Sequence, residues 1–169
     1  MGNNYNAFIL YSERRRAIKI KQLIRGNTIM KFYVAHAFRR TATHKDIIKE
    51  RIYNSYEEAK NNRLFIDDDD SCVLICIDSN WWRIWGVRKD GDFLVSPECG
   101  GFNTSVPMKC KDEYMQKFKE IEDMGYLIDG FQFALGNTNK INIIQGNYID
   151  GNIVGCINED LSVEWINKK

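Results

Sequence analysis

Proline occurs only twice in 169 residues, which argues against Pro-rich linkers and a string of modules. Long apolar runs are missing too. None approaches the ~20 residues that a membrane-spanning helix needs, and the longest, Cys72-Val73-Leu74-Ile75-Cys76-Ile77, has the length of a buried strand. The N-terminus lacks the charged, apolar, small-residue order of a secretory signal. Met1-Gly2 opens like a myristoylation site, but Asn6 stands where Ser or Thr is wanted. A cytoplasmic, unanchored protein is therefore expected.

Gly-rich phosphate loops are absent, because Gly86, Gly91, Gly100-Gly101 and Gly146 match neither a P-loop nor a dinucleotide fingerprint. Paired cysteines are absent as well. The five cysteines, at 72, 76, 99, 110 and 156, form one loose pair where a zinc knuckle needs two close ones. Cys72 and Cys76 fall on one face of a strand by alternation. Buried free thiols in a reducing compartment are expected, with no metal and no cofactor.

What is present is an ordinary globular composition, 44% apolar and 28% charged, which excludes disorder and fibrous classes. The length suits one domain over residues 1–169, with 1–29 readable as a basic extension. Asn, Ile and Lys, spelled by A/T-heavy codons, are abundant, as in the AT-rich genome of a phage, another virus or a low-GC bacterium.

Local patterns give an α+β protein: a largely antiparallel sheet, two or three helices packed on it, and a C-terminal β-meander. Residues 7–11 and 30–38 read as strands. Residues 12–25 fit a helix through Ala17, Ile20, Leu23 and Ile24, or a strand through Ile18 and Ile20; the helix is preferred. Thr43 to Asp46 has the form of a capping box, with Ile48, Ile52 and Tyr56 following at helical spacing; Ser55 to Glu58 offers a second start. If the helix breaks near Asn54, Arg51 to Tyr53 are extended. Residues 72–78 form the most secure strand, and Trp81 to Arg88, Asp90-Gly91 and Phe93 to Val95 form a hairpin. Asp112 is expected to cap a helix carrying Tyr114, Phe118 and Ile121 and ended by Gly125. Leu127 to Leu135, Lys140 to Gln145, Asn152 to Ile157 and Leu161 to Ile166 then follow as strands with short turns.

Charge is segregated. Residues 1–51 hold twelve Lys or Arg against three Asp or Glu, a net +9, and residues 52–169 hold twelve against twenty, a net −8. Such asymmetry suggests contact with nucleic acid or an acidic protein surface. Arg14, Arg15, Arg16, Lys19, Lys21, Arg25, Arg39 and Arg40 are the candidate contacts, accompanied by Tyr5, Phe8, Tyr11, Tyr33 and Phe38. The plainer reading is a solvated basic face, or one docked on the acidic remainder of the chain.

Three further constellations carry chemistry. Asp78 ends the most apolar strand and Asp129 ends another, so a metal-dependent phosphodiesterase using both is one alternative, with Glu113, Glu120 or Glu122 as a third ligand. A strand-end Asp is more often a turn former. Cys99 before Gly100-Gly101 would be a nucleophile if His36 or His44 served as base, although His36 reads as a buried, hydrogen-bonded imidazole. Asp67 to Asp70 lacks the spacing of a calcium loop. Finally, alternation points Trp82 opposite to Trp81 and Trp85, so one ring-bearing face is core and the other, with Trp81 and Trp85, is a candidate docking face. An accessory or regulatory binding protein is the leading expectation, and catalysis the lesser one.

Overall fold

Seven residues, Ser71–Ile77, form the central strand of the fold, and their alternation decides which way everything else packs. The computed structural model describes residues 30–37, 41–63, 71–98 and 104–166. Ten antiparallel strands arise there: β1 (Phe32–His36), β2 (Ile47–Tyr53), β3 (Ser71–Ile77), β4 (Asn80–Val87), β5 (Phe93–Pro97), β6 (Val106–Pro107), β7 (Leu127–Asp129), β8 (Ile141–Gln145), β9 (Asn152–Ile157) and β10 (Val163–Trp165). Three helices accompany them: α1 (Tyr56–Asn61), α2 (Lys111–Asp123) and α3 (Phe131–Ala134). The protein is α+β and ends in a strand meander.

The strands divide into two sheets rather than one, ordered β2-β1-β3-β4-β5-β6 and β10-β9-β8-β7. Val73 and Ile75 of β3 face Phe32, Val34, Trp82, Ile84 and Val95, and Ala59 of α1 closes this core. Leu74, on the other face, packs with Ala35 and Ala42. α2 is amphipathic by its 3.6-residue period. Tyr114, Phe118 and Ile121 bury against Ile128, Ile141, Ile143 and Ile157 of the second sheet. Met115, on the same helix, touches both apolar clusters and so ties the sheets together.

Two local expectations change. The box at Thr43 forms, with Thr43 N donating to Asp46 Oδ2 at 2.9 Å, but it caps only a single 3₁₀ turn, His44–Asp46. Residues 47–53 are strand β2, paired to β1 through Tyr33↔Ile52 and Ala35↔Ile47. Edge pairing with β1 overrides a helical spacing that Ile48 and Ile52 satisfied by coincidence. The helix starts instead at the second box, where Ser55 Oγ accepts from Glu58 N. The expected strand 127–135 stops at Asp129, whose carboxylate accepts from Phe131 N at 3.1 Å and turns the chain into α3. Asp112 lies in the first turn of α2 rather than at its cap.

The hairpin is as read: Arg88 N donates to Asp92 O at 2.7 Å, and Gly91 takes the turn at φ +83°, a conformation glycine adopts without steric cost. Asp92 is buried, its carboxylate accepting from Lys109 N at 3.1 Å. Lys111 is buried too, its ammonium 5.3 Å from the Trp82 ring and bonded to Asp112.

Cys72, Cys76, Cys110 and Cys156 are free thiols, and Cys76 is exposed rather than buried. Burial pushes the Cys72 thiol up, outweighing the lowering by Arg83 beside it. A raised pKa leaves less thiolate at pH 8. A disulfide reagent at that pH is expected to label Cys76 at least about tenfold faster than Cys72, checked by mass spectrometry of timed digests.

Candidate functional site

Strand β4 alternates Trp81, Arg83 and Trp85 on one face of the six-stranded sheet with Trp82 and Ile84 on the core face. Trp82 is 7% exposed and Trp85 53%. The difference follows from that alternation; the register with β5 also slips between Ile84 and Gly86, leaving Trp85 without a partner residue. Bulges re-aim the side chain they carry.

Trp85 is nevertheless held. Its Nε1 donates to Ser96 Oγ at 2.8 Å, and the Arg83 guanidinium lies 5.3 Å from its ring centroid. Arg83 in turn is buried and donates from Nη2 to the carbonyl of Ala42 at 2.8 Å. A cation within ~6 Å of an indole is attracted by the ring's quadrupole. The result is a half-exposed indole fixed in one orientation with positive charge beside it.

Beside this pair lies a tier of rings. Tyr33 of β1 meets Trp81 edge-on with centroids 5.1 Å apart, and His44 stacks on Trp81 at 5.5 Å and 8°. Glu98 holds the imidazole: its Oε1 is 2.5 Å from His44 Nδ1, and its Oε2 accepts from His44 N at 2.7 Å. The capping box at Thr43 presents His44 to this partner 54 residues away. A carboxylate-held imidazole suits general base chemistry. Among the described residues, however, no hydroxyl or thiol hydrogen-bonds to His44.

Of the residues singled out in the sequence, Arg14, Arg15, Arg16, Lys19, Lys21, Arg25, Arg39 and Arg40 lie outside the described residues, as do Cys99 and Asp67 to Asp70. Asp78 sits in the β3–β4 turn at φ +49°, whereas Asp129 ends β7 in the other sheet. Among the described residues no three His, Cys, Asp or Glu side chains gather as a metal site. The Nδ1 of His36 is shielded from solvent and has no partner among the described residues. Trp81 is half-buried under His44.

Two features were not foreseen. Arg83 lay in plain view two positions from each exposed-face tryptophan, and alternation alone would have placed it between them. A cleft of about 660 Å³ lies between the β4–β5 turn, the segment after α3 and the β9–β10 turn. Its charges, Arg88 and Lys89 against Asp90 and Glu159, balance, and Arg88 is engaged with Glu159 at 3.4 Å. The lining therefore carries no net formal charge. Comparison of the chain with protein-family models, with curated proteins and with solved structures finds no match.

Proposed function

We propose that the chain acts by binding rather than catalysis, and that its ligand is a polyanion, single-stranded nucleic acid before an acidic protein surface. The observation that carries this reading is the half-exposed Trp85, locked by Ser96 and flanked by the Arg83 guanidinium. Unpaired bases stack on fixed aromatic rings regardless of sequence, each stack contributing about 1–3 kcal/mol, while basic side chains follow the phosphates. The net +9 of residues 1–51 supplies such side chains, with Arg14 to Arg16, Lys19, Lys21, Arg25, Arg39 and Arg40 as the principal contacts. Tyr33 and His44 of the ring tier belong to the same basic third. The abundance of Asn, Ile and Lys, residues spelled by A/T-heavy codons, fits an accessory or regulatory protein of a phage or virus, working in the cytoplasm.

A duplex keeps its bases stacked and hides their faces, so the reading expects preference for single strands. A labelled 15-nucleotide single strand and the matching duplex, titrated with protein in 50 mM salt, are expected to differ in Kd by at least about tenfold. Equal affinity for the two would remove the stacking component. Retention by immobilised polyglutamate, with neither nucleic acid bound, would transfer the reading to an acidic protein partner.

A further inference from the structure

The ring tier leaves one nitrogen of an imidazole without a protein partner, on the same sheet face as Trp85. Trp81 and Arg83 alternate onto that face, Arg83 pairs with Ser96, and Ser96 Oγ accepts from Trp85 Nε1. Tyr33 belongs to the same row, through Tyr33↔Leu74 and Leu74↔Arg83. His44 stacks on Trp81 and so completes the face. Four residues of extended chain separate Trp81 from Trp85, about 13 Å. One single strand can therefore touch both ends.

The surroundings of the imidazole fix what it can do. One ring face lies on Trp81, and Nδ1 meets Glu98 Oε1 at 2.5 Å. A carboxylate oxygen only accepts, so Nδ1 carries the hydrogen. The His44 side chain is nevertheless 40% exposed, whereas that of Glu98 is 11% exposed. By elimination the exposure falls on the outer ring face and on the edge with Nε2. Among the described residues nothing hydrogen-bonds to Nε2. In the neutral ring Nε2 can only accept, and a phosphate oxygen only accepts too. In the imidazolium Nε2 donates, and a charge-assisted bond to phosphate becomes available. Protonation also changes the local field. Beside a neutral ring the Glu98 carboxylate is a bare negative charge that repels phosphate, and beside an imidazolium it is neutralised. Other groups around the ring do not reverse this. Tyr33 approaches from β1, Trp81 of β4 is uncharged, and Arg83 is engaged with Ala42 and Trp85. Within the turn itself, Lys45 and Asp46 flank His44, and Asp46 accepts from Thr43 N.

From this geometry we infer that His44 is a phosphate contact of the single-strand face, made in its imidazolium form. The protein then grips nucleic acid more tightly as the medium turns from mildly alkaline to mildly acidic, the range in which an imidazole ordinarily changes charge. The inference rests on the nucleic-acid reading above and adds to it one contact residue and a control by pH. Stacking of bases on Trp85 involves no proton, so the two contributions separate by experiment.

The test titrates the full chain against a 15-nucleotide thymidine strand, whose bases keep their protonation state, at pH 8.0 and pH 5.5 and at two salt concentrations. Wild type is expected to bind about tenfold tighter at the acidic pH, the worth of one hydrogen bond to a charged group. The plot of log affinity against log salt should also be steeper there by about 0.7, the counterion released by one further phosphate contact on a single strand. His44→Phe keeps a ring for Trp81 and removes Nε2. It should bind like wild type at pH 8.0 and lose both the gain and the steeper slope at pH 5.5. His44→Gln, which has no ring, should lose them as well, and melting curves at both pH values confirm that the variants are folded. Affinity that ignores pH, a gain that survives in both variants, or a gain with an unchanged salt slope would overturn the inference and leave the nucleic-acid reading standing. No binding at either pH would overturn both.

Discussion

Phe118→Ala is expected to destabilise the protein by about 3–5 kcal/mol, among the largest losses a single side chain of this fold can cause. Phe118 is fully buried in the middle of α2, between Tyr114 one turn earlier, whose ring lies 5.9 Å away, and Ile121 later on the same face. Its neighbours across the interface, Ile128, Ile141, Ile143 and Ile157, come from three different strands of the second sheet. None of them can collapse into the space without shifting a strand that is paired on both sides or covered by the helix, so most of the cavity would persist. The same helix carries Met115 to the core of the first sheet, and loosening α2 therefore weakens both sheets. Urea unfolding followed by circular dichroism checks the value. A loss below about 1 kcal/mol would mean that α2 is not seated as described.

Most of this core could be read from the chain. Val73 and Ile75 alternate, Asp90-Gly91 is a hairpin turn wherever strands flank it, and Tyr114, Phe118 and Ile121 repeat at helical spacing with Gly125 taking φ +89° behind them. The failures differ in cause. Residues 47–53 look helical because Ile48 and Ile52 stand four apart, and only the pairing of Ile52 with Tyr33, nineteen residues earlier, makes them a strand. Residues 127–135 read as one strand because apolar residues flank Asp129-Gly130, yet the turn signal there is local, Asp129 accepting from Phe131 N. What the local signal does not report is that Gly130 meets Thr104, far away in sequence.

That contact yields the second large effect. Gly130→Ala is expected to cost about 3 kcal/mol, near the upper end for overpacking. The backbone at Gly130, φ −112°, is open to any residue, so strain is not the reason. A methyl group there would lie 2.0 Å from Thr104 Oγ1 and 2.4 Å from Thr104 Cβ. Thr104 also donates from Oγ1 to Gly130 O at 3.2 Å. Thr104 leads into β6 of the first sheet and Gly130 follows β7 of the second, so their close approach is one place where the sheets meet. Thr104→Gly in the Gly130→Ala background should recover at least about 1 kcal/mol by thermal melting, because atoms this close couple strongly. Two losses that simply add would show that the pair does not touch.

The candidate binding face was legible in part. Alternation along Trp81, Trp82 and Trp85 separates the core ring from the outward ones. It gives no hint that Trp85 sits at a bulge while His44, carried by a capped turn and held by Glu98, covers Trp81. Those partners are 54 residues apart, and sequence spacing does not report such distances.

The most direct test is the affinity of wild type and Trp85→Ala for a 15-nucleotide single strand at 50 and 200 mM salt. Four phosphate contacts would weaken wild-type binding about 50-fold over that range. Loss of one stacked base should weaken Trp85→Ala about tenfold at both salts without changing the slope. Binding that ignores salt, or a Trp85→Ala protein that binds as tightly as wild type, would contradict it.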